Sequence, residues 1–149
     1  MKALIQRVSS AEVEVDTAVA GKIDKGLLVF LCAVKGDTDK DLDYLVKKIS
    51  QLRIFEDDQG KMNLSASDFS GAVLVVSQFT LAASTRKGNR PSFDAAEAPE
   101  RAKMLCDIFV QRLRDIGIPV QTGVFGAMMT VSLVNDGPVT IWIDSREKE

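Results

Sequence analysis

Two uninterrupted apolar runs limit what this chain can fold into more than any other feature of its sequence. Residues 27–34 read Leu-Leu-Val-Phe-Leu-Cys-Ala-Val, and residues 72–76 read Ala-Val-Leu-Val-Val. Apolar runs of this length are typical of strands that are covered on both faces. We therefore expect two buried strands, the second of which ends in polar residues from Ser77 onward.

Further strands are expected around this pair. Alternating polar and apolar residues at 12–15 indicate a half-buried strand. The other predicted extended segments are residues 2–8, 18–23, 54–55, 120–122, 129–134 and 139–143. Residues 135–138, Asn-Asp-Gly-Pro, have the composition of a turn, and the charged residues 145–149 are expected to form a frayed tail.

Two amphipathic helices are predicted. Apolar residues recur at helical spacing from about residue 39 to residue 53, after a Thr38–Asp41 pair that resembles a capping box with Asp in place of Glu. A second helix begins near Pro99 and is ended by Gly117. The expected fold class is α+β: a mostly antiparallel sheet, curled toward a barrel, with two main helices in a single domain over residues 1–149.

Histidine is absent from the 149 residues, and this restricts the chemistry that the chain can perform. It excludes Ser-His-Asp and Cys-His arrangements and histidine-based metal sites. The two cysteines, Cys32 and Cys106, have no partner at metal-ligand spacing, so we expect buried free thiols, no metal and no cofactor. Catalysis would have to use hydroxyls, amides, backbone N–H groups, carboxylates or groups of the substrate.

The formal net charge of −2 argues against a protein held on nucleic acid by bulk positive charge. A local patch is present, because Arg86, Lys87 and Arg90 form a basic cluster in the polar loop 82–94. Contact with phosphates and simple solvation are both compatible with this cluster. The sequence shows no signal peptide and no apolar run near the roughly 20 residues that cross a bilayer, so we expect a soluble, cytoplasmic protein without a membrane partner.

Two short motifs carry candidate chemistry. The Ser-Gln-Phe-Thr motif (Ser77, Gln78, Phe79 and Thr80) follows the second apolar run, where backbone N–H groups can form an oxyanion hole and a hydroxyl can attack a carbonyl or orient a water. The alternative is that its hydroxyls only satisfy local backbone groups.

The second is the Gly-Pro motif (Gly137 and Pro138). It is typical of a hairpin turn. Proline also lowers the cost of a cis peptide bond to about 1 kcal/mol, and a cis bond can aim neighbouring carbonyls at an amine.

The two motifs, in this order and at this separation, resemble the D-aminoacyl-tRNA deacylase family. Residues 3–8, 53–55, 60–64 and 90–93 are similar to further blocks of that family. The resemblance implies an enzyme that hydrolyses the ester bond of D-aminoacyl-tRNA, releasing free tRNA and the D-amino acid, for chiral proofreading in translation. It implies a barrel-like homodimer that binds the 3′ end of aminoacyl-tRNA in an active site at the subunit interface. Glycine on the wrong tRNA could be a further substrate.

The resemblance also implies roles for single residues. The Ser-Gln-Phe-Thr motif of one subunit is expected to face Gly137 and Pro138 of the other, whose carbonyls would hold the α-amino group and exclude an L side chain. Arg7 is expected to orient the Gly-Pro motif, with a strand-end surface charge as the alternative. Met129 is expected to pack on the terminal adenine, with a core methionine as the alternative. Either Thr80 or a ribose 2′-hydroxyl would drive hydrolysis, and the missing histidine favours the 2′-hydroxyl.

Three other kinds of protein fit parts of the sequence. A hydrolase of another small ester or amide would use Thr80 as its nucleophile and act on substrates without RNA. A non-catalytic RNA-binding or dimerisation module would not need the Gly-Pro motif. An editing domain appended to a synthetase would lack the Ser-Gln-Phe-Thr motif and would belong to a longer chain.

Overall fold

The computed structural model of the chain describes residues 1–148. Within these residues the elements follow one another as β1 (Lys2–Val15), β2 (Ala18–Ile23), β3 (Gly26–Cys32), α1 (Asp39–Gln51), β4 (Phe55–Glu56), β5 (Met62–Leu64), β6 (Ala72–Ser77), a 3₁₀ turn (Phe79–Ala82), α2 (Pro99–Asp115), β7 (Val120–Thr122) and β8 (Thr130–Asp144). In the main sheet β1 pairs antiparallel with β2, β3 and β8, while β6 pairs parallel with β3 and β7. A separate hairpin joins β4 to β5.

Both apolar runs form strands buried on both faces, as predicted. The side chains of Leu27 and Val73 belong to the core that packs under the two helices. The next residues along each strand, Leu28 and Leu74, face a second cluster that includes Val13 of β1. Each fully buried large aliphatic side chain contributes roughly 1.5–3 kcal/mol to folding, so these strands hold the sheet between two apolar layers.

The sheet curls until its two ends approach each other. A Cβ atom on Gly21 of β2 would lie 2.5 Å from the carbonyl oxygen of Thr122 of β7, so this approach requires glycine. Strands β2 and β7 stand at opposite ends of the strand order, and their contact nearly closes a barrel. The expected α+β class is confirmed; the antiparallel pairs are the majority, and the parallel pairs lie at β3, β6 and β7.

The helices begin where the sequence predicted. The backbone N–H of Thr38 donates to the Asp41 carboxylate at 2.8 Å, which is one half of the expected capping box. Pro99 occupies the first turn of α2. The guanidinium of Arg112 on α2 joins the two helices through ion pairs with Asp39 at 3.0 Å and Asp43 at 2.7 Å.

Two sequence-based expectations about the strands are wrong. Residues 2–15 form one strand and not two, and β8 runs through residues 135–138 where a turn was expected. Gln6 pairs with Thr140 and Val8 pairs with Asn135, so the intervening residues of β8 form a bulge against β1. The peptide bond between Gly137 and Pro138 is cis. Pairing with β1 continues on both sides of the bulge, so the chain does not reverse.

The expected frayed tail is also wrong for its first residues. Ser145 is buried, and its hydroxyl donates to the Asp41 carboxylate at 2.6 Å while accepting a hydrogen bond from the Met1 amine. The Arg146 guanidinium donates to Asp37 at 2.9 Å. These partners come from distant parts of the chain, so the segment is anchored to α1 and the N-terminus; Glu149 lies outside the described residues.

Candidate active site

The Ser-Gln-Phe-Thr motif lies where β6 ends and the 3₁₀ turn begins. The backbone N–H of Gln78 still donates to the carbonyl oxygen of Leu31 at 2.8 Å, which fixes the motif to the end of β3. Phe79 and Thr80 are exposed. The first N–H groups of a helical turn have no acceptor within it. No residue in the described part of the chain accepts the N–H of Phe79 or Thr80, so both are available to a substrate oxygen.

The side chain of Gln78 contacts that of Thr80 directly. Gln78 Nε2 donates to Thr80 Oγ1 at 2.5 Å. Within residues 1–148 no carboxylate or other side chain accepts the proton of the Thr80 hydroxyl. The hydroxyl therefore has a donor beside it and no base to activate it.

A cavity of about 510 Å³ opens beside the motif. Ser77, Gln78 and Phe79 line one side of it, and the start of α2 lines another. Met129 also lines the cavity; it is half-buried and packs against the apolar cluster that contains Leu28 and Leu74. The volume is within the range of small-molecule sites, which is roughly 300–1,000 Å³.

Both cysteines line this cavity, and both are buried free thiols as expected. Burial raises the pKa of Cys106 to about 12. Burial, together with the charge of Asp37, raises the pKa of the Cys32 thiol. Thiols with raised pKa values stay protonated near neutral pH and are poor nucleophiles. Within residues 1–148 no cluster of His, Cys, Asp and Glu could hold a metal ion.

The Gly-Pro motif is exposed at the surface of the bulge, and Arg7 lies behind it. Arg7 is only 5% exposed, so it is not a strand-end surface charge. Its Nε donates to the carbonyl oxygen of Asp136 at 2.9 Å, and its Nη1 donates to the carbonyl oxygen of Ile54 at 2.6 Å. The residue just before the motif is thereby tied to a separate segment of the chain.

The single chain does not bring the two motifs together. Across the sheet Ser77 lies level with Ala3 of β1, whereas Gly137 lies level with Arg7. The motifs are therefore three strands and four register positions apart. With about 4.8 Å between strands and 3.3 Å per residue, the separation measured along the sheet is on the order of 20 Å.

The basic cluster is exposed on the loop that follows the 3₁₀ turn. In the same loop the ring of Phe93 meets the ring of Phe79 edge-on, with 5.1 Å between the ring centres. Phe79 is 58% exposed despite this contact. The loop that carries the basic residues is thus packed against the Ser-Gln-Phe-Thr motif.

Several residues of the cavity were missed by sequence reasoning, among them Glu97 and Met128. Glu97 lines the cavity and its carboxylate is paired with Arg101 at 2.5 Å. Met128 also lines it and is 92% exposed. The sequence offered one signal for Met128, because an apolar residue between predicted strands has no core to enter.

No helix within residues 1–148 has the length and apolar character to cross a membrane.

A strand end that offers hydroxyls, an amide and two free backbone N–H groups beside a cavity is the arrangement expected of a hydrolase acting on an acyl group. The model of the family described as D-Tyr-tRNA(Tyr) deacylase matches residues 4–144. The chain belongs to this family, and by that membership it is an enzyme of the hydrolase class.

Relatives agree with this assignment. The chain is 59% identical to the D-aminoacyl-tRNA deacylase of Ruegeria sp. (strain TM1040), over 99% of this chain and 95% of the relative. It is 61% identical to the D-aminoacyl-tRNA deacylase of Persephonella marina, over 98% of this chain and 99% of the relative.

Two solved structures share the fold. The structure described as c-Myc DNA Unwinding Element Binding Protein has a TM-score of 0.92 and 41% identity, covering 97% of this chain and 98% of that chain. The structure of a probable eukaryotic D-amino acid tRNA deacylase has a TM-score of 0.79 and 17% identity, covering 95% and 97%, and supports the fold alone.

Proposed function

We propose that this chain hydrolyses the ester bond of D-aminoacyl-tRNA in the cytoplasm and releases free tRNA and the D-amino acid. The observation that carries the proposal is the Ser-Gln-Phe-Thr motif at the edge of a cavity, with the N–H groups of Phe79 and Thr80 unpaired among the described residues. Ester hydrolysis passes through a tetrahedral oxyanion, and one well-placed donor is worth roughly 3 kcal/mol to such a state. Family membership and the names of the relatives support the same substrate.

The proposal includes a homodimer in which Gly137 and Pro138 of the partner subunit complete the site. Their carbonyls would hold the substrate's α-amino group, and the rigid backbone would exclude an L side chain while leaving room for a D side chain. The separation of about 20 Å between the motifs within one protomer supports a second subunit. Glycine has no side chain to exclude, so glycine attached to the wrong tRNA would also be removed.

The surface of β8 supports the same assembly. In the described part of the chain β8 pairs only with β1, so its outer edge is open along a strand of 15 residues. Val134 is 57% exposed and Trp142 is 45% exposed on this strand. Open edges and exposed apolar side chains favour contact with another protein surface.

Recognition of tRNA would combine the cavity with the basic cluster. The terminal adenosine would occupy the cavity and pack on Met129, and Arg86, Lys87 and Arg90 would contact phosphates near the acceptor end. With a net charge of −2, the chain has no bulk attraction for RNA, so local contacts and the reactive end of the substrate would provide selectivity.

The test compares matched D- and L-aminoacyl-tRNA carrying the same amino acid, with release of free amino acid as the readout. We expect the D substrate to be hydrolysed much faster for side chains of different size, and a free D-amino acid ester without RNA to be nearly inert. Gln78→Ala is the control variant, because it alters the Ser-Gln-Phe-Thr motif within the same fold. Equal rates on the two enantiomers, or comparable turnover of the RNA-free ester, would overturn the proposal.

A further inference from the structure

We infer that Asn135 is a second positioning residue for the Gly-Pro motif, and that it helps to set the preference for D over L substrates. Arg7 holds the start of the bulge, and Asn135 holds its end. The inference rests on the function proposed above, because it concerns how the excluding backbone is kept in place.

The bulge removes Val139 from regular pairing with β1. Asn135 is paired with Val8 and Thr140 with Gln6, so the residues between them lack a register partner on β1. The N–H of Val139 would then need another acceptor, because an unpaired and half-buried backbone donor is costly. Asn135 Oδ1 accepts this N–H at 3.4 Å.

This hydrogen bond ends close to Gly137. The nitrogen of Val139 is the atom nearest to the point where a Cβ of Gly137 would stand, at a distance of 2.7 Å. A shift of the Val139 backbone therefore shifts the surroundings of Gly137. The side chain of Asn135 spans the motif from one side to the other, since it begins before Gly137 and ends on the residue after Pro138.

The residue type fits this role better than a role in the strand itself. Asparagine is depleted in strands, yet Asn135 is half-buried within β8 and paired with Val8. A side-chain oxygen that bonds a backbone N–H a few residues ahead is the usual reason for asparagine at an irregular position. Aspartate could keep the acceptor, while alanine would remove it.

The rest of the bulge explains why a second anchor is needed. Gly137 and Pro138 are exposed, so within one protomer they project from the surface. With Arg7 alone, a side chain would hold the bulge at Asp136, but none would hold it at Val139, before pairing with β1 resumes at Thr140. Exclusion of an L side chain depends on a rigid backbone at Gly137 and Pro138. Greater mobility at the Val139 end of the bulge should therefore lower the ratio of the rate on D substrates to the rate on L substrates.

The experiment measures kcat/KM on matched D- and L-aminoacyl-tRNA for three variants. Asn135→Ala should lower the D-to-L ratio by about fivefold, the change that corresponds to one neutral hydrogen bond of about 1 kcal/mol. Asn135→Asp should restore most of the ratio. Ser132→Ala changes an exposed residue of the same strand and should leave the ratio unchanged.

A second measurement is independent of activity. The amide of Val139 should exchange slowly with solvent in the wild-type protein, and faster in Asn135→Ala than in Asn135→Asp. A wild-type ratio in Asn135→Ala, or equal loss in both Asn135 variants, overturns the inference, as does a rapidly exchanging Val139 amide in the wild type. If the wild-type protein does not prefer D substrates, the proposed function fails, and the exchange measurement still tests the hydrogen bond.

Discussion

The Nε atom of Arg7 lies 2.9 Å from the carbonyl oxygen of Asp136, the residue immediately before Gly137. The same guanidinium reaches the carbonyl oxygen of Ile54 at 2.6 Å and lies 3.5 Å from the Asp136 carboxylate. A buried cation is stable only when it is paired and hydrogen-bonded. The position of the Gly-Pro bulge is therefore coupled to the segment that connects α1 with β4.

The first prediction follows from this coupling. Arg7→Lys should lower kcat/KM on D-aminoacyl-tRNA by roughly 10- to 100-fold. A lysine ammonium cannot replace a planar guanidinium that donates to two carbonyl oxygens at once. A hydrogen bond that involves a charged group is worth about 1.5–3 kcal/mol. Single-turnover kinetics measure the effect. Arg114→Lys is the matched control, since Arg114 also bonds a carbonyl, that of Val120, but lies away from both motifs. Wild-type activity in Arg7→Lys would contradict the prediction.

The strands and helices that the sequence predicted well are those with a local signal. The apolar runs of β3 and β6 and the helical spacing of α1 and α2 each depend on residues close together in the chain. The bulge in β8 has no such signal. Whether Gly137-Pro138 reverses the chain or bends it is decided by β1, which pairs with β8 on both sides of the motif.

The same limit applies to single residues. Ser145 follows a strand and precedes charged residues, so its sequence context is that of a tail, but its partners are Met1 and Asp41. The contact between Gln78 and Thr80 joins two residues of one motif, and it was not foreseen because a strand end and a 3₁₀ turn place side chains differently. The motif could be located from the sequence, whereas its internal geometry could not.

The second prediction concerns assembly. The protein should sediment as a dimer. Gln78→Ala and Pro138→Ala, one variant in each motif, should each lower activity on D-aminoacyl-tRNA, and a mixture of the two that is unfolded and refolded together should be more active than either alone. Random pairing in a two-fold dimer would leave roughly a quarter of all sites with both motifs intact. The recovered activity is measured against each variant refolded alone. A fully active monomer, or no recovery in the mixture, would rule out a site shared between subunits.

The third prediction concerns acid stability. Burial raises the pKa of Asp41, but hydrogen bonds from Ser145 and Thr38 and the charge of the N-terminus outweigh it and lower the pKa to about 2. A carboxyl with a lowered pKa stabilises the fold above its unfolded pKa, near 3.8, and this stabilisation is lost as pH falls toward 2. Urea unfolding should therefore show Asp41→Asn less stable than wild type at pH 7, with a gap that narrows between pH 4 and about 2. A gap that is constant across this range would contradict the assignment.

The fourth prediction concerns which hydroxyl group, that of Thr80 or the ribose 2′-hydroxyl, drives hydrolysis of the ester. Thr80→Ala should keep measurable activity on D-aminoacyl-tRNA, whereas replacing the 2′-hydroxyl of the terminal ribose by hydrogen should remove most of it. Thr80 Oγ1 accepts a hydrogen bond from Gln78, and within residues 1–148 it has no base to take its proton. An unassisted threonine hydroxyl is a weak nucleophile near neutral pH. Single-turnover rates of the two enzymes on the two substrates give the comparison.

The substrate hydroxyl has the advantage of position. It is held next to the ester by the ribose itself, and intramolecular placement of this kind can contribute about 7 kcal/mol or more to lowering a barrier. The N–H groups of Phe79 and Thr80 belong to the backbone, so the oxyanion keeps its donors in Thr80→Ala. Complete loss of activity in a folded Thr80→Ala dimer, or an acyl group trapped on Thr80, would instead identify Thr80 as the nucleophile and the 2′-hydroxyl as dispensable.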